Sequence, residues 1–401
     1  MSELPPLRLT GATILRDGQM QAGSLSLADG KITRGPLPAV DLTGYLILPG
    51  IVDLHGDGFE RHIAPRPSAH FSIPAGLASF DREASAHGVT TAYMAQSWSW
   101  EGAQRSPDAA ERLLAALDKV RASVMTDLRI QIRAETHLVD QTDRLIAAVR
   151  RHRIDFVVFN DHLDEGVQMA AADAGRFDHW ARRIGRSPEE LLAAIRKAQA
   201  SAPLVPRSLS RLADAFDQMG VIFGSHDDPD VAARERFRMI GATIAEFPLT
   251  LAVAAAARAM SSPVLMGAPN VVRGGSQAGN ASALDMIAEG ACDVLVSDYH
   301  IPALAMAAWV LVDRGLMDLP RAWAMISSRP AEILRLTDRG RLDHGKRADL
   351  VIMNAESRVI EATISAGRLA WLSGEAGRRF LAQDRVMNRL NGEGRVAAEW
   401  R

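Results

Sequence analysis

The chain has 401 residues, with 46 Lys and Arg against 48 Asp and Glu and a formal charge of −2 at pH 7. That balance excludes nucleic acid or an anionic membrane as the default partner, while 47% hydrophobic residues suffice for a large globular core. A single cysteine, Cys292, forms no internal disulfide and gives no sign of an oxidising compartment.

The opening MSELPPLRLTG lacks a basic start followed by an apolar run, so no secretory leader is expected in it. The longest uncharged apolar stretches, 249–257 and 301–312, are shorter than a membrane span. A cytoplasmic protein is expected. Three short strands come first, Arg8–Leu15, Ser24–Leu27 and Tyr45–Leu48, punctuated by the turn pairs Asp17-Gly18 and Asp29-Gly30. After Pro49-Gly50 the texture changes to β-branched runs alternating with helical patterns. The strands are Ile51–Leu54, Gly88–Tyr93, Leu128–Ala134, Asp155–Phe159, Val221–Gly224, Ala242–Ala245, Val264–Met266 and Asp293–Val296. Helices are expected at Pro107–Ala122, Pro188–Ala200, Leu209–Met219, Leu249–Met260, Ala281–Glu289 and Ala303–Asp313. This alternation predicts a parallel sheet closed into a (β/α)8 barrel over residues 51–336. Beyond it, Leu350–Met353 and Arg358–Ile364 read as strands, so residues 1–50 and 337–401 are expected to form a small β-sandwich, with a loose C-terminal tail.

Polar residues gather just past the strands: His55 and Asp57, Glu135 and His137, Asp161-His162, His226-Asp227-Asp228 and Asp298. Barrel strands converge on one mouth at their C-terminal ends, where the active sites of this fold lie. Imidazole with carboxylate is a ligand set for zinc, manganese or iron, and one or two such ions lower the pKa of water to about 7. One of Asp227 and Asp228 is expected to cap a helix starting near Asp230. His87, His152, His179 and His344 read as ordinary surface or core residues. Two further stretches are dense in polar groups. FERHIAPRP brings Arg61, His62 and Arg66 behind the first ligands; GAPNVVRGGSQAGN reads as a loop with four glycines, whose backbone N–H groups and Arg273 suit phosphate oxygens. Glu246, Phe247 and Pro248 read as pocket lining or as a plain turn.

LPGIVDLHGD resembles the first-strand signature of the amidohydrolase superfamily, with Asp57 where a second histidine usually stands, and SSRPAEIL with RGRLDHGKRADLVI is similar to its C-terminal motif. Within it, HGDGFERHIAPRP, SHDDPD, AEFPLT, MGAPNVVRGGSQAGN and SDY resemble the α-D-ribose 1-methylphosphonate 5-triphosphate diphosphatase (PhnM) family of the carbon–phosphorus lyase pathway. The resemblance implies that His55, Asp57, His162 and His226 bind metal, zinc first, and that Glu135 bridges from the fourth strand. It makes Asp298 the group that handles the water proton, and Arg66, Asn270, Arg273 and Ser276 contacts to a small phosphorylated substrate, joined by Arg61 and His62. The implied reaction hydrolyses a 5-triphosphate at its α-phosphorus, releasing pyrophosphate in phosphonate catabolism. The sequence departs from that family at Gln277-Ala278 and at His300-Ile301. Hydrolysis of a C–N bond, as in a cyclic amide or an aminated heterocycle, is the alternative reading; a non-catalytic assembly subunit is the third. A homo-oligomer fits any of the three.

Overall fold

The structure, a computed structural model, describes residues 4–66, 69–276 and 279–382; Gln277-Ala278 and the expected loose tail lie outside them. The N-terminal strands are β1 (Leu7–Arg16), β2 (Gln19–Ala28), β3 (Lys31–Thr33), β4 (Ala39–Asp41) and β5 (Tyr45–Pro49). Asp17 and Gly18 both have positive φ, the backbone of a two-residue hairpin turn between β1 and β2. Between Leu9 and Ala12 the pairing slips. Gly11 takes up the slip at φ +75°, where a Cβ would meet the Thr43 hydroxyl at 2.4 Å, so only glycine fits.

The barrel strands follow: β6 (Ile51–Gly56), β7 (Val89–Trp98), β8 (Asp127–Glu135), β9 (Phe156–Asn160), β10 (Ile222–His226), β11 (Ile244–Glu246), β12 (Val264–Gly267) and β13 (Val294–Val296). They pair in parallel in sequence order. The ends meet at a bridge between Gly56 and Asp298, where the Asp57 N–H donates to the Asp298 carbonyl at 2.8 Å and the Asp298 N–H to that of His55 at 2.9 Å. Beneath this seam the buried Asp53 carboxylate accepts from the Ser297 amide at 2.9 Å and hydroxyl at 2.6 Å. The cylinder is filled by Val52, Leu54, Tyr93, Phe156, Ile244 and Leu265, and a second apolar layer packs its outside against the helices.

The last strands, β14 (Leu350–Asn354), β15 (Ile360–Ser365) and β16 (Arg368–Leu372), join the N-terminal ones in a mostly antiparallel sheet of order β16-β15-β14-β5-β1-β2-β3, with β4 also paired to β1. Both chain ends therefore build one sheet beside the barrel, as expected. Asp127, at the base of β8, fastens the two parts: it takes Arg129 at 3.0 Å, Arg339 at 2.6 Å and Arg347 at 3.4 Å. Burial disfavours its charge, but these guanidinium groups outweigh it and pull the carboxyl down to about 2.

Between β9 and β10 the chain is longer than one barrel helix requires. Helices Leu163–Ala172, Ala174–Arg183 and Pro188–Ala200 form an insertion ahead of helix Val205–Met219, packed around Phe177, Ala181, Leu191 and Ile195, with Trp100 from the loop after β7. Ser187 and Glu190 close a reciprocal capping box at the start of the third helix, which is why that helix is visible in the sequence with the observed bounds. Among the described residues, no helix is long and apolar enough to cross a membrane.

Candidate metal centre and active site

Period-two alternation decides what faces the barrel axis. On β8, Leu128, Ile130, Ile132 and Ala134 turn outward into the helix-facing core, so Gln131, Arg133 and Glu135 point inward. The same rule sends His55, His226 and Glu246 from the ends of β6, β10 and β11 to one place.

There the imidazoles are held by carboxylates. His226 Nδ1 lies 2.7 Å from Glu246 Oε2, and His55 Nδ1 lies 3.0 Å from the same oxygen at an angle too oblique for a hydrogen bond. The two rings stack at 5.3 Å, and Phe247 packs edge-on against both at 5.1 Å. Gln131 donates to the other Glu246 oxygen at 2.8 Å. His162 Nδ1 sits 2.5 Å from Glu135 Oε1. Its Nε2 and that of His226 flank Asp227, at 3.6 and 3.3 Å. His226 Nε2 is also 2.8 Å from Arg133 Nη2. Because a guanidinium only donates, Nε2 must be the acceptor and Nδ1 the protonated nitrogen directed at Glu246. Such carboxylate–histidine pairs fix the tautomer that presents a lone pair to a cation.

The electrostatics follow from these contacts. Burial works against charge on Glu246, but His55 and His226 outweigh it and hold the carboxyl far below its ordinary range. Burial also opposes charge on His162, yet Glu135 and Asp227 raise it to about 10. Asp298 goes the other way: burial, reinforced by Asp57, lifts its carboxyl above the ordinary range despite His55. Three residues past strand ends, Asp227, Phe247 and Asp298, have φ of 56°, 51° and 54°. For a phenylalanine this left-handed backbone is strained by about 1–2 kcal/mol, and it turns the ring onto the two imidazoles.

His55, Asp57, Arg133, His226, Asp227 and Asp298 line a cavity of about 280 Å³ together with Asn270, Arg273, Gly275, Ser276 and Tyr299. The expected loop is partly helical. Ala268–Arg273 form a short helix with Pro269 in its first turn, and Gly274, at φ +79°, ends it in the left-handed cap that favours glycine. Asn270 spends its amide on the backbone, donating to the Ala281 carbonyl at 3.2 Å and accepting from Ala283 N–H at 3.0 Å, so it shapes the wall. Arg273 reaches the Tyr299 hydroxyl at 3.3 Å. A larger depression, about 470 Å³, opens at the opposite end of the barrel, but its ions pair among themselves, Arg129 with Asp155 at 2.6 Å and His152 with Asp118 at 2.9 Å.

Several expectations need correction. Arg61 and His62 are not in the cavity lining: both pair with Glu83, His62 at 2.6 Å, and Arg61 also donates to the Tyr299 carbonyl at 3.1 Å. Arg66 keeps its place as an expected contact: it is exposed, with its backbone in a β-bridge to Ala69. Glu135 ends the third barrel strand, not the fourth, and stands behind His162. Neither Asp227 nor Asp228 caps the next helix: Asp230 does, accepting from Ala233 at 2.7 Å, while Asp228 faces Ser225 and the fully buried Arg234. His300 points to solvent and Ile301 enters the core, so neither departure at that point touches the cavity. Sequence reasoning missed Arg133 and gave no decisive weight to Glu246. Both were signalled by position, one two residues before Glu135 on the same strand face, the other at a strand's C-terminal end.

The Amidohydrolase family pattern matches residues 46–370. The chain belongs to that family. This amidohydrolase is 30% identical over 371 residues to the alpha-D-ribose 1-methylphosphonate 5-triphosphate diphosphatase of Escherichia coli (strain K12), across 88% of this chain and 96% of the relative. Among solved structures it resembles a beta-aspartyl dipeptidase of Fervidobacterium islandicum AW-1 (TM-score 0.61, 13% identity, 92% of this chain and 98% of that one). It also resembles an N-acetylglucosamine-6-phosphate deacetylase of Pasteurella multocida (TM-score 0.61, 11% identity, 91% and 99%). At such identities the likeness shows the fold. The superfamily is metal-dependent, and the residues present suit a divalent cation: His55, His226 and Glu246 form one candidate group, His162, His226 and Asp227 a second, and Glu101, Glu135 and His162 a third. Arg133 and a cation are alternative partners of His226 Nε2.

Proposed function

We propose that this amidohydrolase cleaves a ribosyl 5-triphosphate of the α-D-ribose 1-methylphosphonate kind at its α-phosphorus, releasing pyrophosphate in phosphonate breakdown. The observation that carries the reading is one cavity lined both by imidazoles and carboxylates and by Arg273, Gly275 and Ser276. The full-length relative at 30% identity supports the same substrate class.

His55, Asp57, His162 and His226 would hold one or two divalent ions, zinc by the nature of the donors, with Glu246 and Glu135 orienting the imidazoles. Bound there, such an ion supplies Lewis acidity, neutralising phosphoryl charge and acidifying water. Asp298, raised by burial and facing the cavity, accepts the proton of the attacking water. The water oxygen bonds to the α-phosphorus, the bond from that phosphorus to the bridging oxygen breaks, and pyrophosphate leaves with the electron pair. Arg273 and Ser276 position the departing phosphates, and Asn270 holds the wall that carries them; phosphoryl transfer needs chiefly such positioning and charge neutralisation. Residues 51–336 are the catalytic unit in this reading, and 1–50 with 337–401 the accompanying sheet domain.

The test is ³¹P NMR of the metal-loaded protein with a ribosyl 5-triphosphate. Pyrophosphate with a ribosyl 5-phosphate is expected. Orthophosphate as first product, or ammonia release from amides and aminated heterocycles with the triphosphate untouched, would overturn the reading.

A further inference from the structure

Arg133 has no carboxylate partner among the described residues. Among the described residues, its contact is with His226 Nε2 at 2.8 Å, its Nε is buried without a hydrogen-bond partner, and no acid lies within ion-pair distance. Two other arginines near this mouth differ: Arg61 pairs with Glu83, and Arg105 grips Glu101 with contacts of 3.0 and 3.1 Å. Asp298 acts on Arg133 through space and Asp227 lies against the same imidazole nitrogen, but neither pairs with it, and a half-buried guanidinium whose donors lack a charged acceptor is costly unless an anion arrives. Arg133 stands on the inward face of its strand between Gln131 and Glu135, which are both hydrogen-bonded.

We propose that Arg133 is the substrate ligand for the phosphoryl group under attack, a role that rests on the diphosphatase reading above. Depth selects which phosphoryl. Arg133 lies beside His226 and Asp227 among the candidate ligands, whereas Arg273 is exposed at the outer wall beside Tyr299. The two arginines thus bracket the triphosphate: Arg133 takes non-bridging oxygens of the α-group, where its planar fork matches two of them, and Arg273 the outer phosphates.

The experiment uses the metal-loaded protein, Arg133→Met and Arg133→Lys, with inorganic phosphate as a calorimetric probe and the ribosyl 5-triphosphate as substrate. In Arg133→Met, phosphate binding should weaken by about 10- to 100-fold. The loss on substrate should fall mainly on kcat rather than KM, at unchanged metal content. Arg133→Lys keeps the charge without the fork and should recover part of the binding, which preserves the test if the methionine variant does not fold. Phosphate affinity and kcat/KM both at the level of the unmodified protein would overturn the proposal. So would loss of bound metal in both variants, since Arg133 would then act through His226. Arg133-dependent phosphate binding without any pyrophosphate release would retain the anion site and reject the diphosphatase reading; pyrophosphate release indifferent to Arg133 would do the reverse.

Discussion

Glu246→Gln tests how the centre is organised. Glu246 is buried, accepts from Gln131 on one oxygen and faces His226 and His55 on the other. Glutamine has the same shape, and Gln131, whose Oε1 is buried without a partner, can flip to accept from the new amide. The variant therefore loses charge but not packing. A hydrogen bond to a charged group contributes about 1.5–3 kcal/mol and a neutral one about 0.5–1.5, so the exchange at His226 removes about 1–1.5 kcal/mol, and the vanished charge beside His55 adds to it. Together they predict that zinc binds about 10- to 100-fold more weakly. Competition against a chromophoric chelator measures that directly, with melting by circular dichroism to show that the apoprotein still folds. A folded variant binding zinc within about threefold of the unmodified protein, less than 1 kcal/mol, would refute the idea that Glu246 governs these imidazoles.

Asp298→Asn should lower kcat by about 100-fold or more with metal content intact; turnover at the normal rate would remove Asp298 from proton transfer. Because His162 is raised to about 10, a cation taking its nitrogen below that pH must expel a proton. Apparent zinc affinity should then fall as pH falls, by up to about tenfold per unit, readable by chelator competition at several pH values. Asp127, at about 2 in the folded chain against about 3.9 unfolded, contributes about 2–3 kcal/mol. That contribution is complete above the unfolded value and lost as pH falls through the folded one. Asp127→Asn should lower urea stability at neutral pH by that amount and flatten the acid limb, and an unchanged unfolding midpoint would contradict it.

The barrel was legible because β-branched runs and helical patterns alternate, and because its eight strands each end in turn-forming or polar residues. Asp17-Gly18 announced its hairpin by chemistry alone. The helices at Leu163–Ala172 and Ala174–Arg183 were not legible: they bury their apolar residues on one another and on Trp100, a contact that no local pattern encodes. At the site, residue types showed that imidazoles and acids would gather, but not their division of labour. That Glu135 backs His162, or that Arg61 prefers Glu83 to the cavity, depends on distances between strands and helices remote in sequence. Asp227 and Asp228 differ in the same way, since backbone direction alone sends one to the imidazoles and the other to Arg234.

The seam at Gly56, Asp57 and Asp298 has a temporal meaning. Ribosomal synthesis delivers His55 early and Asp298 late, and until β13 has emerged nothing ties those two sides by backbone hydrogen bonds. The residues that finish the cylinder also finish the pocket, so a stalled nascent chain carries its imidazoles with no completed cup to put them in.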